Sequence, residues 1–225
     1  MTAIVILAVV GAILQGIFIT VEHKEKYVAA DILKGLAALM FVIIGYLGFS
    51  KVSSDAMGKK LLIGLVFGMI GDIILNLRFV LKEIGQKVFL VGILAFLIGH
   101  ILYLAALIPL TEHLIMDIVI GAVIAVALLA YIFMTMEVKI AFKIFGVFYL
   151  GAVIIMTVIA VHLAIVTGNT HDIIYAIGAV LFTASDIVLI FNTFSGTTKF
   201  SLRITNLSLY YIGQLLIAGS LFVIR

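Results

Sequence analysis

The chain has 225 residues, of which 65% are hydrophobic and 11% charged, and its mean hydropathy is +1.40. Soluble domains carry about 45–50% apolar and about 25% charged residues, so this is a polytopic membrane protein. The absence of cysteine excludes disulfides, thiolate metal sites and cysteine nucleophiles, and a net charge of +3 is too small and too dispersed to mark a nucleic-acid-binding face.

The opening MTAIVILAVV has no basic segment before it, so it reads as a retained span and not as a signal peptide. About 20 apolar residues cross a hydrocarbon core as helix. On that basis the sequence predicts eight spans, at roughly 2–21, 28–50, 61–82, 88–110, 114–136, 140–166, 172–194 and 203–224. The connections between them are short, so residues 1–225 form a single transmembrane domain and any chemistry is built from helices and their ends. The expected fold class is all-α.

With eight spans, both termini lie on one side. Lys51, Lys59, Lys60 and Arg225 fall there. The other side holds Lys24, Lys26, Arg78, Lys82, Lys87, Lys139, Lys143, Lys199 and Arg203. The positive-inside rule puts the second group in the cytoplasm and both termini outside, in a plasma membrane expected to be bacterial.

Two spans carry an acid in an apolar run: Asp72 in GLVFGMIGDIIL and Asp186 in GAVLFTASDIVL. Each costs about 2.5 to 3.5 kcal/mol on insertion scales, so a functional use is the default expectation. An offset of 114 residues carries Asp72 onto Asp186, Gly64 onto Gly178, and Ile98-Gly99-His100 onto Ile212-Gly213-Gln214. This suggests two four-helix repeats in parallel orientation, 1–112 and 113–225.

Other deep polar groups accompany the acids: Asp31 and Lys34 in the second span, Asn76 in the third, His100 and Tyr103 in the fourth, Ser185 in the seventh, and Tyr210, Tyr211 and Gln214 in the eighth. Together they are expected to line one polar cavity open to the cytoplasm. Structural roles compete with this reading. The acids can join helices by hydrogen bonds, Lys34 can snorkel or pair with Asp31, and the tyrosines can mark the interface. His23, His113 and His171 lie at span ends, where a solvated side chain is expected. The glycines at 64, 68, 71, 99, 178 and 213 fit close helix approach and not a phosphate loop.

Gly71-Asp72, Gly99-His100-x-x-Tyr103, Ser185-Asp186 and the Tyr210/Tyr211/Gln214 group, with Lys34 early in the second span, resemble the YhhN-like lysoplasmalogenase family. The resemblance runs from about Asp31 to Gly219. The chain departs from it after Lys34, where Gly35, Leu36 and Ala37 stand and the family usually has a proline.

The resemblance implies an eight-span hydrolase acting on a lysophospholipid in the bilayer, without a cofactor. It would cleave the vinyl ether of a lysoplasmalogen to a fatty aldehyde and glycerophospho-ethanolamine or -choline. Such a reaction needs a protonated acid and a carboxylate, as in glycoside cleavage. Asp72 and Asp186 are the expected pair. His100 is expected to orient one of them or relay the proton, with Tyr210, Tyr211 and Gln214 placing water. Asp31, Lys34, Asn76, Tyr103 and Ser185 complete the substrate contacts, and Lys34 at headgroup level is a candidate for the phosphate. A Zn²⁺ site from His100, Asp72 and Asp186 has no supporting H-E-x-x-H or multi-histidine spacing, so no metal is expected. The alternative from another class is a proton-coupled transporter or channel using the same Asp and His residues.

Overall fold

The computed structural model describes residues 2–51 and 56–224. Arg225, counted above in the loop charges, lies outside the described residues. The described residues form eight long helices: α1 (Thr2–His23), α2 (Tyr27–Phe49), α3 (Ala56–Leu77), α4 (Gly85–Leu107), α5 (Leu114–Thr135), α6 (Ile140–Thr167), α7 (Thr170–Phe194) and α8 (Phe200–Ser220). Each is long and apolar enough to cross a membrane. Together with the composition this makes the chain an integral membrane protein, all-α among the described residues.

The third span departs from the expected 61–82. Apolarity marks where the hydrocarbon lies, whereas a helix continues into the interface. So α3 begins at Ala56, and Lys60, in its second turn, donates to the Ala105 carbonyl near the end of α4 at 2.7 Å. At its other end the chain tightens. Phe79 N donates to Asn76 O at 3.1 Å and Val80 N to Leu77 O at 3.0 Å, so Arg78 sits in the connection and not in the helix.

Helices α3 with α4 and α7 with α8 form the two most extensive pairs. Close backbone approach explains both. A Cβ on Gly99 would stand 3.1 Å from the Gly64 carbonyl oxygen, and a Cβ on Gly178 would stand 2.9 Å from that of Gly213. With no side chain at the crossing the helices touch through their backbones, which is how bilayer helices gain packing when lipid supplies no hydrophobic drive.

Across the bundle α4 rests on α6, and α2 on α8. Exchanging each helix for the one four places away maps the main pairs onto themselves. The glycine crossings obey the same exchange. Such contacts are what a four-plus-four repeat would give.

The core follows from this packing. One large cluster joins α2, α3, α4, α6, α7 and α8 around Phe41, Leu65, Tyr103, Met156, Tyr175 and Ile217. A second cluster joins α5 and α6 around Leu129, Ile132, Leu150 and Ile154. Helix α5 is otherwise a lipid-facing element, with Ile115, Val123, Val126 and Met134 exposed.

Candidate functional site: a cavity with two buried aspartates

Asp72 and Asp186 line one cavity of about 100 Å³. It lies toward the end of the bundle that carries the α3–α4, α5–α6 and α7–α8 connections. Its polar part is made by Lys34, Asp72, Arg78, Tyr149, Ser185, Asp186, Arg203 and Tyr210. An apolar arm runs from these groups between α4, α5, α6 and α7, walled by Phe89, Leu129, Phe133, Phe142, Leu150 and Phe194. Gly146, also in the lining, has open space beside it: a Cβ there would meet nothing within 4 Å.

The two acids keep different company. Lys34 Nζ stands 3.1 Å from Asp72 Oδ1, and Tyr210 donates its hydroxyl to Asp72 Oδ2 at 2.7 Å. Lys34 belongs to α2 and Tyr210 to α8, so this carboxylate ties three helices together. Asp186 accepts a 2.7 Å hydrogen bond from the Tyr149 hydroxyl of α6. Among the described residues no cation lies within 4 Å of it.

Behind Asp72 the polar chain continues inward. Gln214 Nε2 donates to the Tyr210 hydroxyl at 3.4 Å, and Tyr103 donates to Gln214 Oε1 at 3.4 Å. Tyr103 and Gln214 are therefore supports behind the cavity wall and do not line it. Tyr211 parts company with its neighbour. One residue on is about 100° around a helix, and its hydroxyl turns to the Ala37 carbonyl at 3.3 Å. The expected Tyr210/Tyr211/Gln214 patch is thus two faces.

His100 hydrogen-bonds neither acid. Its Nδ1 lies 2.8 Å from the Phe96 carbonyl, which can only accept, so Nδ1 carries the hydrogen. Nε2 is buried with no partner among the described residues, and the ring is enclosed edge-on by Tyr103, Tyr149 and Phe182. The relay expected of it has no contact here.

Asp31 makes no ion pair with Lys34, whose ammonium is taken by Asp72. Lys34 is also buried, so it does not stand free at headgroup level for a phosphate. Turning over the Asn76 amide places its nitrogen 2.8 Å from Glu22 Oε1 and its oxygen 3.3 Å from Asp31 N, which makes Asn76 a tie to α1 and α2. Ser185 lines the cavity but serves a clip. Its hydroxyl donates to the Asn206 carbonyl at 3.0 Å, and Asn206 Nδ2 donates to the Ser185 carbonyl at 2.9 Å. His171 corrects the expectation of a solvated side chain: it is buried, with Nδ1 2.9 Å from the Ser220 carbonyl.

Several groups were not singled out from sequence. Tyr149 is the polar tip of an apolar span, and its mid-span position was the available signal. Asn206 precedes Tyr210 and Gln214 at four-residue steps, which places all three on one face of α8. From sequence alone Arg78 and Arg203 read as loop charges. Arg203 forms a two-point pair with Glu22, Nε to Oε2 at 2.9 Å and Nη2 to Oε1 at 2.7 Å, joining α8 to α1. Arg78 lies between the rings of Phe79 and Phe89, its guanidinium carbon 4.6 and 4.3 Å from their centroids. Burial, and next the charge of Arg203, push its pKa down to about 10 against the pull of Glu22, so it stays charged at neutral pH.

No curated protein and no solved structure matches the chain. The YhhN family matches residues 29–221. That range holds every residue lining the cavity, from Lys34 to Tyr210, together with the paired acids and their partners. The chain belongs to the YhhN family.

Proposed function

We propose that the cavity hydrolyses the vinyl ether of a lysoplasmalogen, with Asp186 as general acid and Asp72 as the carboxylate that faces the cationic intermediate. The observation that carries this reading is the unequal setting of two buried acids in one amphipathic cavity. Asp72 has a cation at 3.1 Å and is fit to be ionised. Asp186 has only a hydroxyl partner, and an isolated charge in a low-dielectric site is far costlier than a neutral acid. One protonated and one ionised carboxyl are what the reaction asks for.

Asp186 gives its proton to the β-carbon of the vinyl ether, whose π electrons form the new C–H bond. The α-carbon and its oxygen become an oxocarbenium ion, stabilised by the Asp72 carboxylate. Water adds to the α-carbon and returns a proton to Asp186. The hemiacetal then breaks its bond to the glycerol oxygen, and its hydroxyl proton passes to that oxygen, leaving aldehyde and alcohol. Tyr149 holds one oxygen of Asp186 and so turns the other toward the substrate, while Lys34 and Tyr210 hold both oxygens of Asp72 and fix the plane of its carboxylate. The apolar arm receives the hydrocarbon chain.

The test is incubation of the purified protein with lysoplasmalogen and mass spectrometry for free fatty aldehyde. Aldehyde formed by the wild type and abolished in both Asp72→Asn and Asp186→Asn is the expected result. Full-rate hydrolysis by either variant overturns the two-carboxylate reading, and no aldehyde from the wild type overturns the reaction itself.

A further inference from the structure

Three cations line the cavity, and two are committed: Lys34 to Asp72 and Arg203 to Glu22. Arg78 is different. Among the described residues no carboxylate lies within 4 Å of it. Its guanidinium is held between the faces of Phe79 and Phe89, contacts that orient the plane and leave the edge donors unused. A guanidinium has five N–H donors and no acceptor, and its fork fits the oxygens of a phosphate. An unpaired, oriented arginine that lines a cavity with an apolar arm calls for an anion.

We propose that Arg78 binds the phosphate of a single-chain phospholipid, placing the ether linkage beside Asp72 and Asp186. This rests on the reaction proposed above and names the residue that positions its substrate. The spacing agrees. Asp72 stands five residues before the end of α3 at Leu77, a rise of about 7.5 Å, and Arg78 follows in the turn. From phosphorus through the glycerol to the vinyl β-carbon is a path of about seven bonds, roughly 8 Å when extended. A phosphate at Arg78 therefore sets the reacting carbons at the depth of the acids, and the chain beyond them turns into the arm beside Phe133 and Phe142. The assignment moves the phosphate from Lys34 to Arg78.

The experiment compares wild type, Arg78→Gln and Arg78→Lys, with exposed Lys87→Gln as a control for general charge at that end. Two substrates are used: a lysoplasmalogen and a phosphate-free 1-alkenylglycerol. Losing a charge-assisted contact should raise KM for the lysoplasmalogen about tenfold or more in Arg78→Gln, with kcat nearly unchanged. Arg78→Lys, which keeps the charge and loses the fork, should fall between. Turnover of the alkenylglycerol should be the same in all variants. An equal loss on both substrates, or no loss on either, overturns the proposal.

Binding of a non-cleavable 1-O-alkyl-lysophosphocholine separates this proposal from the reaction. If the wild type makes no aldehyde but Arg78→Gln still weakens this lipid and not the 1-O-alkylglycerol, the phosphate site stands and the reaction falls. If the wild type makes aldehyde and Arg78→Gln binds both lipids normally, the site falls. Inorganic phosphate displacing the lipid probe at the lipid's own concentration would assign Arg78 to free phosphate and overturn the lipid proposal.

Discussion

Lys34 and Asp72 form an ion pair at 3.1 Å with side chains only 6% and 4% exposed. A pair so buried depends on both members, since removing one leaves an uncompensated charge at a cost of about 3–5 kcal/mol. Lys34→Met should therefore lower the unfolding temperature in detergent sharply. Lys34→Met combined with Asp72→Asn should recover most of that loss without recovering hydrolysis. A double variant no more stable than Lys34→Met alone would show that the pair is not coupled.

The hydroxyl of Tyr149 touches one acid and that of Tyr210 the other, each at 2.7 Å. Tyr149→Phe and Tyr210→Phe keep the ring packing and remove the hydrogen bond to the acid, Tyr210→Phe losing the longer contact with Gln214 as well. Each is expected to lower kcat by about tenfold, the scale of one hydrogen bond to a catalytic carboxyl, with KM little changed. Initial rates of aldehyde release check this, and unchanged kcat in both would separate the tyrosines from the chemistry.

The α7–α8 crossing is a steric contact between backbones. Gly178→Ala should force the helices apart and strain the Ser185–Asn206 clip beside the cavity, at about 1–3 kcal/mol. At Gly151 and Gly219 a Cβ meets nothing within 4 Å, so alanine at either should be harmless to packing. Thermal unfolding of the three variants in one detergent makes the comparison, and similar values for all would contradict the close crossing.

Gly146 offers a way to test the apolar arm without touching a polar group. Gly146→Leu fills open space on its wall. Hydrolysis of long-chain substrate should fall, while a short-chain analogue should be cleaved near the wild-type rate. An equal effect on both chain lengths would place the hydrocarbon elsewhere.

The eight spans were legible because bilayer thickness imposes a length on every one of them, and the acids because a carboxyl in an apolar run has no bland composition to hide in. Partner choice was not legible. Asp31 and Lys34 are three residues apart and so share a face, yet Lys34 reaches across to α3, because Asp72 offers a buried anion that lacks any other cation. Tyr210 and Tyr211 are adjacent in sequence and diverge in space for the simple reason of helical pitch. Arg78 was hidden by the span estimate: with the third span drawn to residue 82 it looked like one more cytoplasmic charge, whereas α3 ends at Leu77 and the turn carries the guanidinium to the cavity mouth. Sequence spacing predicts which residues share a helix face; it does not predict which helix that face meets.

The cavity is basic at its mouth and apolar in its arm. On the proposed reaction, the substrate bond that Asp72 and Asp186 cleave is also the boundary between those two environments. Cleavage would leave a water-soluble phosphodiester on the arginine side and an oily aldehyde on the phenylalanine side. Each fragment then has its own way out, one to the aqueous phase and one to the bilayer, so the site works as a partitioning device that makes recombination of its products improbable.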